Sequence, residues 1–211
     1  MSQSLVIDVW SDVVCPFCYL GTKQLAIALE GFEHRDDVVV RQRAFELDPG
    51  AASDCGLTLD ELLAAKYGMP IERARSINQK MQKDAAALGM SWSMDRARPS
   101  NTFDAHRLIA LASTQGLEGP MSQRLFLAYF SDGQLLSDRA TLRVLAEDVG
   151  VSGADELWRG DEFATHVRAD EAQAHELGIT GVPTFLLDEK FMVVGAQGPT
   201  KILDVLTRAW G

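Results

Sequence analysis

A Cys-Pro-Phe-Cys motif at positions 15–18 constrains the fold of this chain more than any other feature. It follows a short run of β-favouring apolar residues, Leu5 to Trp10, which predicts a buried strand. Pro16 falls at the first position of a predicted helix, where its φ angle is already helical and its missing N–H needs no partner. A second strand is predicted over 37–46. The chain therefore opens as a β-α-β unit, with the motif between the first strand and the helix.

The middle of the sequence has a helical pattern, beginning with the capping-box residues Thr58 and Glu61. Predicted helices lie at about 58–68, 70–89, 102–115, 120–130, 138–149 and 161–177. Strands are predicted again at 182–187 and 191–194, followed by a helix over 199–210. This order predicts an α/β domain formed by residues 1–49 and 179–211, with an all-helical domain of residues 50–178 inserted into it.

Charge and cysteine content narrow the classes of function. The 211 residues carry a formal net charge of -10, which disfavours nucleic acid and anionic membrane surfaces as partners. The N-terminus has no basic segment ahead of its apolar run, so no secretory signal is expected. Three cysteines do not form a disulfide framework. We therefore expect a cytoplasmic protein, in which a C-x-x-C pair is catalytic or metal-binding rather than structural.

The position of the motif favours redox chemistry. A thiolate at the start of a helix is stabilised by unpaired backbone N–H groups and by the helix dipole. Cys15 has this position and is expected to be the exposed, acidic nucleophile. Cys18 lies one turn further on and is expected to be the resolving thiol, which releases a mixed disulfide. Phe17, between them, offers no charge or hydrogen-bond donor to the thiolate.

A zinc site and a purely structural cysteine pair are the alternatives. Structural zinc commonly has four ligands, arranged as two closely spaced pairs. Here the remaining cysteine, Cys55, is isolated, and the four histidines show no pair at ligand spacing. We therefore expect no metal, and the redox interpretation is favoured.

A Gly-Val-Pro-Thr-Phe segment at 181–185 opens the returning strand. Together with the C-x-x-C motif it makes the chain resemble the thioredoxin superfamily. The resemblance implies a cis bond between Val182 and Pro183, close to the active-site cysteine. It also implies that the backbone of Val182 binds an extended substrate, a contact of the β-augmentation type.

Three segments narrow the resemblance, namely SDVVCPFCYLG, NTFDAHRL and GITGVPTFLLDEKFMVVGAQGP. In this order they are similar to DsbA-like proteins, and in particular to the FrnE-like branch. That branch is grouped with 2-hydroxychromene-2-carboxylate isomerases and kappa-class glutathione transferases. The resemblance implies a thioredoxin-like α/β fold with a large helical insertion. Those isomerases and transferases have serine where Cys15 stands, so two cysteines favour dithiol chemistry.

Further residues are candidates for the site. Asp8 resembles the buried strand acid of thioredoxins that deprotonates the resolving cysteine, although it lies one residue further from the motif. Asp12 is closer and would oppose a Cys15 thiolate unless its carboxylate points away. Asn101, His106 and Gln197 belong to the segments that carry the resemblance and are candidates for lining the site.

We therefore expect a thiol–disulfide oxidoreductase that acts on disulfide-containing proteins, peptides or small molecules. Cys15 and Cys18 are its catalytic pair, while Phe17, Val182 and Pro183 contact substrate. No cofactor is required, and glutathione is a candidate co-substrate. Two alternatives stay open at this point. One is a glutathione-dependent isomerase or transferase acting on an aromatic or quinone-like molecule, and the other is a peptide-binding holdase without redox turnover.

Overall fold

A computed structural model of the chain describes residues 4–211 and shows a four-stranded mixed sheet with nine α-helices in the described chain. The strands are β1 (Leu5–Ser11), β2 (Val38–Ala44), β3 (Thr184–Leu187) and β4 (Phe191–Val194). The helices are α1 (Pro16–Glu30), α2 (Leu59–Tyr67), α3 (Ile71–Ala86), α4 (Phe103–Ser113), α5 (Glu118–Leu127), α6 (Arg139–Val149), α7 (Ala154–Leu157), α8 (Ala164–Glu176) and α9 (Pro199–Trp210).

The sheet has the strand order β2-β1-β3-β4. β1 pairs with β2 in parallel, as expected of a β-α-β unit, and β3 pairs with β1 and β4 in antiparallel fashion. The loop between β3 and β4 is tight because Asp188 and Glu189 both adopt positive φ angles. This is the backbone geometry of a type I′ turn.

Each face of the sheet is covered, as the alternation of side chains along β1 requires. The first face packs on α1 and α9 through an apolar core of Leu5, Ile7, Val9, Leu25, Ala28, Phe185, Leu187, Val193, Ile202, Val205 and Leu206. On the second face, Trp10 packs with Ala174, Ile179 and Leu186. α1 and the strand ends that flank the cysteine motif are therefore fixed on a buried scaffold.

The chain divides into two compact units. The first is formed by two segments, one that ends at Leu47 and one that runs from His166 to Gly211, and the second comprises Asp48–Thr165. The second unit is all helical, apart from turns and loops, and includes a π-helical turn at Ala128–Asp132. Its core contains a stacked pair, Trp92 and Phe130, with ring centroids 4.9 Å apart. In the described chain, no helix is long and apolar enough to cross a membrane.

The fold is thioredoxin-like, with a helical insertion, but its division differs from the boundaries predicted at 49 and 178. Most of α8 belongs with the sheet. Polar contacts join α8 to the sheet. Asp170, on α8, accepts hydrogen bonds from Arg43 Nη1 at 3.1 Å and from the N–H of Ala44 at 3.0 Å. Its own carbonyl accepts from Trp10 Nε1 at 2.9 Å.

These contacts predict a large stability loss on replacing Asp170 with alanine. The Asp170 side chain is only 5% exposed, and its removal leaves the buried N–H of Ala44 without this partner. Breaking a buried ion pair from one side costs about 3 kcal/mol or more. We expect Asp170→Ala to lower the free energy of unfolding by about that amount, measured by chemical denaturation.

Asp84→Ala is the matched control. Asp84 pairs with Lys80 on an exposed helix surface, where such pairs contribute about 0.5 kcal/mol or less. Equal effects of the two substitutions would show that Asp170 does not hold α8 to the sheet.

Candidate active site

The cysteine motif begins α1. Cys15 is the N-cap residue with extended backbone angles (φ -89°, ψ 116°), and Pro16 occupies the first helical position. The carbonyl of Cys15 accepts hydrogen bonds from the N–H groups of Cys18 and Tyr19, at 3.1 and 3.2 Å. The thiol of Cys15 is therefore carried at the positive end of a 15-residue helix, where an anion is stabilised.

The segment before β3 lies against this thiol. Cys15 Sγ donates to the carbonyl oxygen of Val182, 3.7 Å away. The Val182–Pro183 peptide bond is cis, and the carbonyl of Pro183 accepts from the N–H of Gly195 at 2.7 Å. The structure thus brings Cys15, Val182 and Pro183 together, although most of the chain separates them in sequence.

The two cysteines differ in exposure. Cys18 is fully buried, and Cys15 is 4% exposed. The expectation of an openly exposed Cys15 is therefore wrong, because the Val182 loop lies against its sulfur. Phe17, between the two cysteines, is 51% exposed, and its contact with a substrate stays a prediction. Both thiols of the motif are free, without a disulfide between them.

The surroundings of Cys18 shift the pKa of its thiol. Burial raises the pKa of its thiol well above the usual value, and the neighbouring Cys15 side chain raises it further. The backbone N–H of Asp12, 3.5 Å from Cys18 Sγ, and the side chain of Ser11 both act in the opposite direction and lower the pKa. Burial prevails, so Cys18 is held as a neutral thiol in the resting dithiol.

Asp12 contacts both cysteines through its backbone N–H and carbonyl. Asp12 is 1% exposed, and its carbonyl accepts from the N–H of Cys15 at 3.0 Å. Its Oδ2 accepts from the N–H of Leu47 at 2.8 Å. Asp8, on β1, instead accepts a hydrogen bond from Arg43 Nε at 2.8 Å. A proton-transfer role for Asp8 stays a prediction, while its observed contact is an ion pair.

The other candidate residues lie at different places. Gln197 is exposed and donates to the carbonyl of Val194 at the end of β4. Asn101 and His106 belong to the helical unit. There, Asn101 Oδ1 accepts from the N–H of Phe103 at the start of α4, and His106 is buried on the same helix. Their contact with a substrate stays a prediction.

Ser11 was not among the sequence-based site residues. It ends β1 and is buried next to the motif, where its side chain influences the Cys18 thiol. Only its position four residues before Cys15 could have drawn attention to it. Within residues 4–211, no group of three or more His, Cys, Asp or Glu side chains could hold a metal ion.

The DSBA-like thioredoxin domain family matches residues 6–207, which is nearly the whole chain. The chain belongs to this family. A crystal structure of a probable DsbA oxidoreductase from Streptomyces coelicolor is similar, with a TM-score of 0.94 and 37% identity, over 98% of this chain and 90% of that one.

Two further proteins illustrate the range of relatives. The uncharacterized protein YwbO of Bacillus subtilis is 29% identical over 91% of this chain and 90% of its own length. The cytosolic disulfide reductase DsbM from Pseudomonas aeruginosa, in a structure with GSH, has a TM-score of 0.59 at 20% identity, covering 96% of this chain and 98% of that one. The similarity to DsbM shows a shared fold.

The packing of α1 against the Pro183 loop can be tested at Gly21. A Cβ atom added there would lie 2.8 Å from Pro183 Cγ and 3.1 Å from Phe185 Cζ. Overpacking of this kind costs about 1–3 kcal/mol, whereas alanine gains at most about 1 kcal/mol over glycine within a helix. We expect Gly21→Ala to lower the free energy of unfolding by about 1 kcal/mol, measured by denaturant titration.

Gly119→Ala serves as the control, since Gly119 is an exposed helical glycine with nothing within 4 Å of an added Cβ. It should leave stability unchanged or raise it slightly. A Gly21→Ala protein as stable as the Gly119→Ala protein would contradict the close contact between α1 and Pro183.

Proposed function

We propose that this protein is a thiol–disulfide oxidoreductase that exchanges the Cys15–Cys18 dithiol or disulfide with disulfide-containing proteins, peptides or small molecules. The observation that carries the proposal is the position of Cys15 Sγ. It lies at the start of α1, 3.7 Å from the carbonyl oxygen of Val182, with Cys18 buried one turn along the helix. Membership of the DSBA-like family supports redox chemistry at this pair.

The reductive half-reaction takes two displacements. The Cys15 thiolate attacks one sulfur of a substrate disulfide and forms a mixed disulfide, while the other substrate sulfur leaves as a thiolate and takes up a proton. Cys18 then attacks Cys15 Sγ and expels the second substrate sulfur. The substrate gains two electrons and two protons, and the cysteine pair becomes a disulfide. The same steps in reverse oxidise a dithiol.

Substrate binding is assigned to Phe17, Val182 and Pro183. Phe17 is exposed beside the nucleophile and offers an apolar contact to a substrate side chain. The Val182 backbone is close enough to Cys15 to hydrogen-bond an extended chain whose sulfur reaches the thiol. Backbone pairing of this kind accepts many sequences, so a broad range of disulfide substrates is expected.

Glutathione is proposed as the reductant that regenerates the dithiol, and the cytoplasm as the compartment. The structure of the cytosolic disulfide reductase DsbM with GSH, which shares the fold, supports both proposals. The two cysteines favour dithiol exchange over a glutathione-dependent isomerase, in which serine takes the place of Cys15.

The test is the reduction of insulin disulfides in a glutathione buffer by single-cysteine variants. Cys15→Ser should reduce the rate to that of the buffer alone, because serine is not a nucleophile toward disulfides. Cys18→Ser should slow catalytic turnover, because glutathione must then cleave the mixed disulfide, and should accumulate that mixed disulfide on Cys15, detectable by mass spectrometry. Cys55 is the matched control, since its Sγ contacts the carbonyl of Pro99 in the helical unit and its replacement by serine should leave the rate unchanged.

Full activity of the Cys15→Ser protein would remove the proposed function. A parent protein that does not reduce insulin faster than the buffer would contradict it as well, and would favour either a glutathione-dependent isomerase or transferase or peptide binding without redox turnover.

A further inference from the structure

Thr184, the first residue of β3, has a buried hydroxyl that the proposed reaction does not use. The residue is fully buried, and its Oγ1 donates a hydrogen bond to the carbonyl oxygen of Gly181 at 2.8 Å. This bond closes a small loop around Val182 and Pro183, which lie between the donor and the acceptor in the sequence. A side chain therefore holds this loop, in addition to the strand pairing that begins at Thr184.

The Gly181 carbonyl determines the direction of the Val182 N–H. The two groups belong to one planar trans peptide unit, in which the C=O and the N–H point in opposite directions. The Thr184 hydroxyl holds the carbonyl oxygen on the buried side, so the Val182 N–H is turned away from that side. Within residues 4–211, this N–H makes no hydrogen bond.

The carbonyl of Val182 lies at the active-site thiol. Cys15 Sγ donates to this oxygen, 3.7 Å away. A residue before proline is confined to extended conformations, and the N–H and C=O of an extended residue point to the same side. The unpaired Val182 N–H is therefore on the side of the thiol, where the backbone of a substrate can accept from it.

We propose that Thr184 is a positioning residue, whose hydroxyl holds the Gly181 carbonyl and thereby presents the Val182 N–H to the backbone of a peptide disulfide. This inference rests on the proposed function. It makes peptides and proteins the preferred class of disulfide substrate, because their backbone carbonyls can accept this hydrogen bond. A disulfide without a peptide backbone gains nothing from it. Thr184 itself takes no part in the exchange between sulfurs.

A second hydrogen bond anchors the other side of the loop. The carbonyl of Pro183 accepts from the N–H of Gly195, which follows β4, at 2.7 Å. This backbone contact does not involve the Thr184 side chain, so it persists when the hydroxyl is removed. Loss of the hydroxyl should therefore release one peptide unit without displacing the loop from Cys15.

The test compares two disulfides in single turnovers of the pre-reduced protein, in a Cys55→Ser background. One is a disulfide-linked pair of short linear peptides with cysteine in the middle of each, and the other is a nitroaryl disulfide. Oxidation of the Cys15–Cys18 pair is followed by acid quenching and mass spectrometry. The peptide gives a half-saturating concentration and a limiting rate, and the nitroaryl disulfide gives a second-order rate constant.

Thr184→Val replaces the hydroxyl with a methyl group and should affect the two substrates differently. Loss of one hydrogen bond corresponds to about a tenfold change in affinity. We therefore expect the half-saturating concentration of the peptide to rise about tenfold, while its limiting rate and the rate constant of the nitroaryl disulfide stay unchanged. A merely structural role of Thr184 would slow both substrates together.

Three further variants are the controls. Thr184→Ser keeps the hydroxyl and should have the half-saturating concentration of the parent protein. Thr184→Ala removes the hydroxyl from the smaller side chain and repeats the comparison if the valine protein does not fold. Thr207→Val makes the same replacement on the exposed side of α9, where the hydroxyl donates to the carbonyl of Leu203 at 2.9 Å, and should change neither substrate's kinetics.

Three kinetic results would overturn the role of Thr184 while the proposed function stands. These are an unchanged half-saturating concentration without the hydroxyl, an equal loss of rate with both substrates, and a serine protein as impaired as the alanine protein. Failure of both hydroxyl-free proteins to fold would also overturn it, since the hydroxyl would then hold the fold and not the loop alone. If neither disulfide oxidises the cysteine pair of the parent protein, the proposed function itself fails.

Discussion

The antiparallel pairing of β1 with β3 is the constraint on which the site depends. In the register of this pair, Trp10 lies opposite Thr184. The segment that follows β1 and the segment that precedes β3 therefore leave the sheet at the same end of the strands. The first segment carries Cys15 and the second carries Val182, and the contact between them results. Closing so long a loop has an entropic cost, but this cost grows only slowly with loop length, which makes a large helical insertion tolerable.

The same strand end also determines how the two thiols differ. Ser11 completes β1, and Asp12 follows it with hydrogen bonds to both cysteines. Cys15 lies at the N-terminus of α1, while Cys18 is turned into the protein by the first helical turn. Burial raises the pKa of the Cys18 thiol well above its usual value. One local geometry thus gives the two thiols different surroundings.

Much of the fold could be predicted from the sequence because its local signals are strong. The capping box at Thr58 and Glu61 is confirmed, and so is Pro16 at the start of α1. The strand at 191–194 and the helix at 199–210 have the predicted bounds. The short helix α7 was missed, since four residues are too few to show helical periodicity.

The errors of assignment come from contacts that only the three-dimensional structure reveals. The place of α8 beside the sheet depends on a buried carboxylate, Asp170, that sequence patterns treat as a solvent-facing group. Asp8 and Asp12 are both acids near the motif. The strand register places Asp8 opposite Arg41, and only the side-chain geometry shows that its carboxylate pairs with Arg43. Likewise, the loop that covers Cys15 is distant in sequence, so its effect on exposure could not be foreseen.

A redox titration of the Cys15–Cys18 pair tests the central claim most directly. The protein would be equilibrated with glutathione buffers of different ratios, and the fraction carrying the Cys15–Cys18 disulfide would be measured by mass spectrometry after acid quenching. We predict a reversible two-electron transition well below the roughly -120 mV of DsbA, in the range of about -200 to -270 mV. The basis is that Phe17 supplies no donor to a Cys15 thiolate, and that the group touching Cys15 Sγ from the Val182 loop is a carbonyl oxygen. The absence of this disulfide at every ratio, or a potential at or above that of DsbA, would contradict the account.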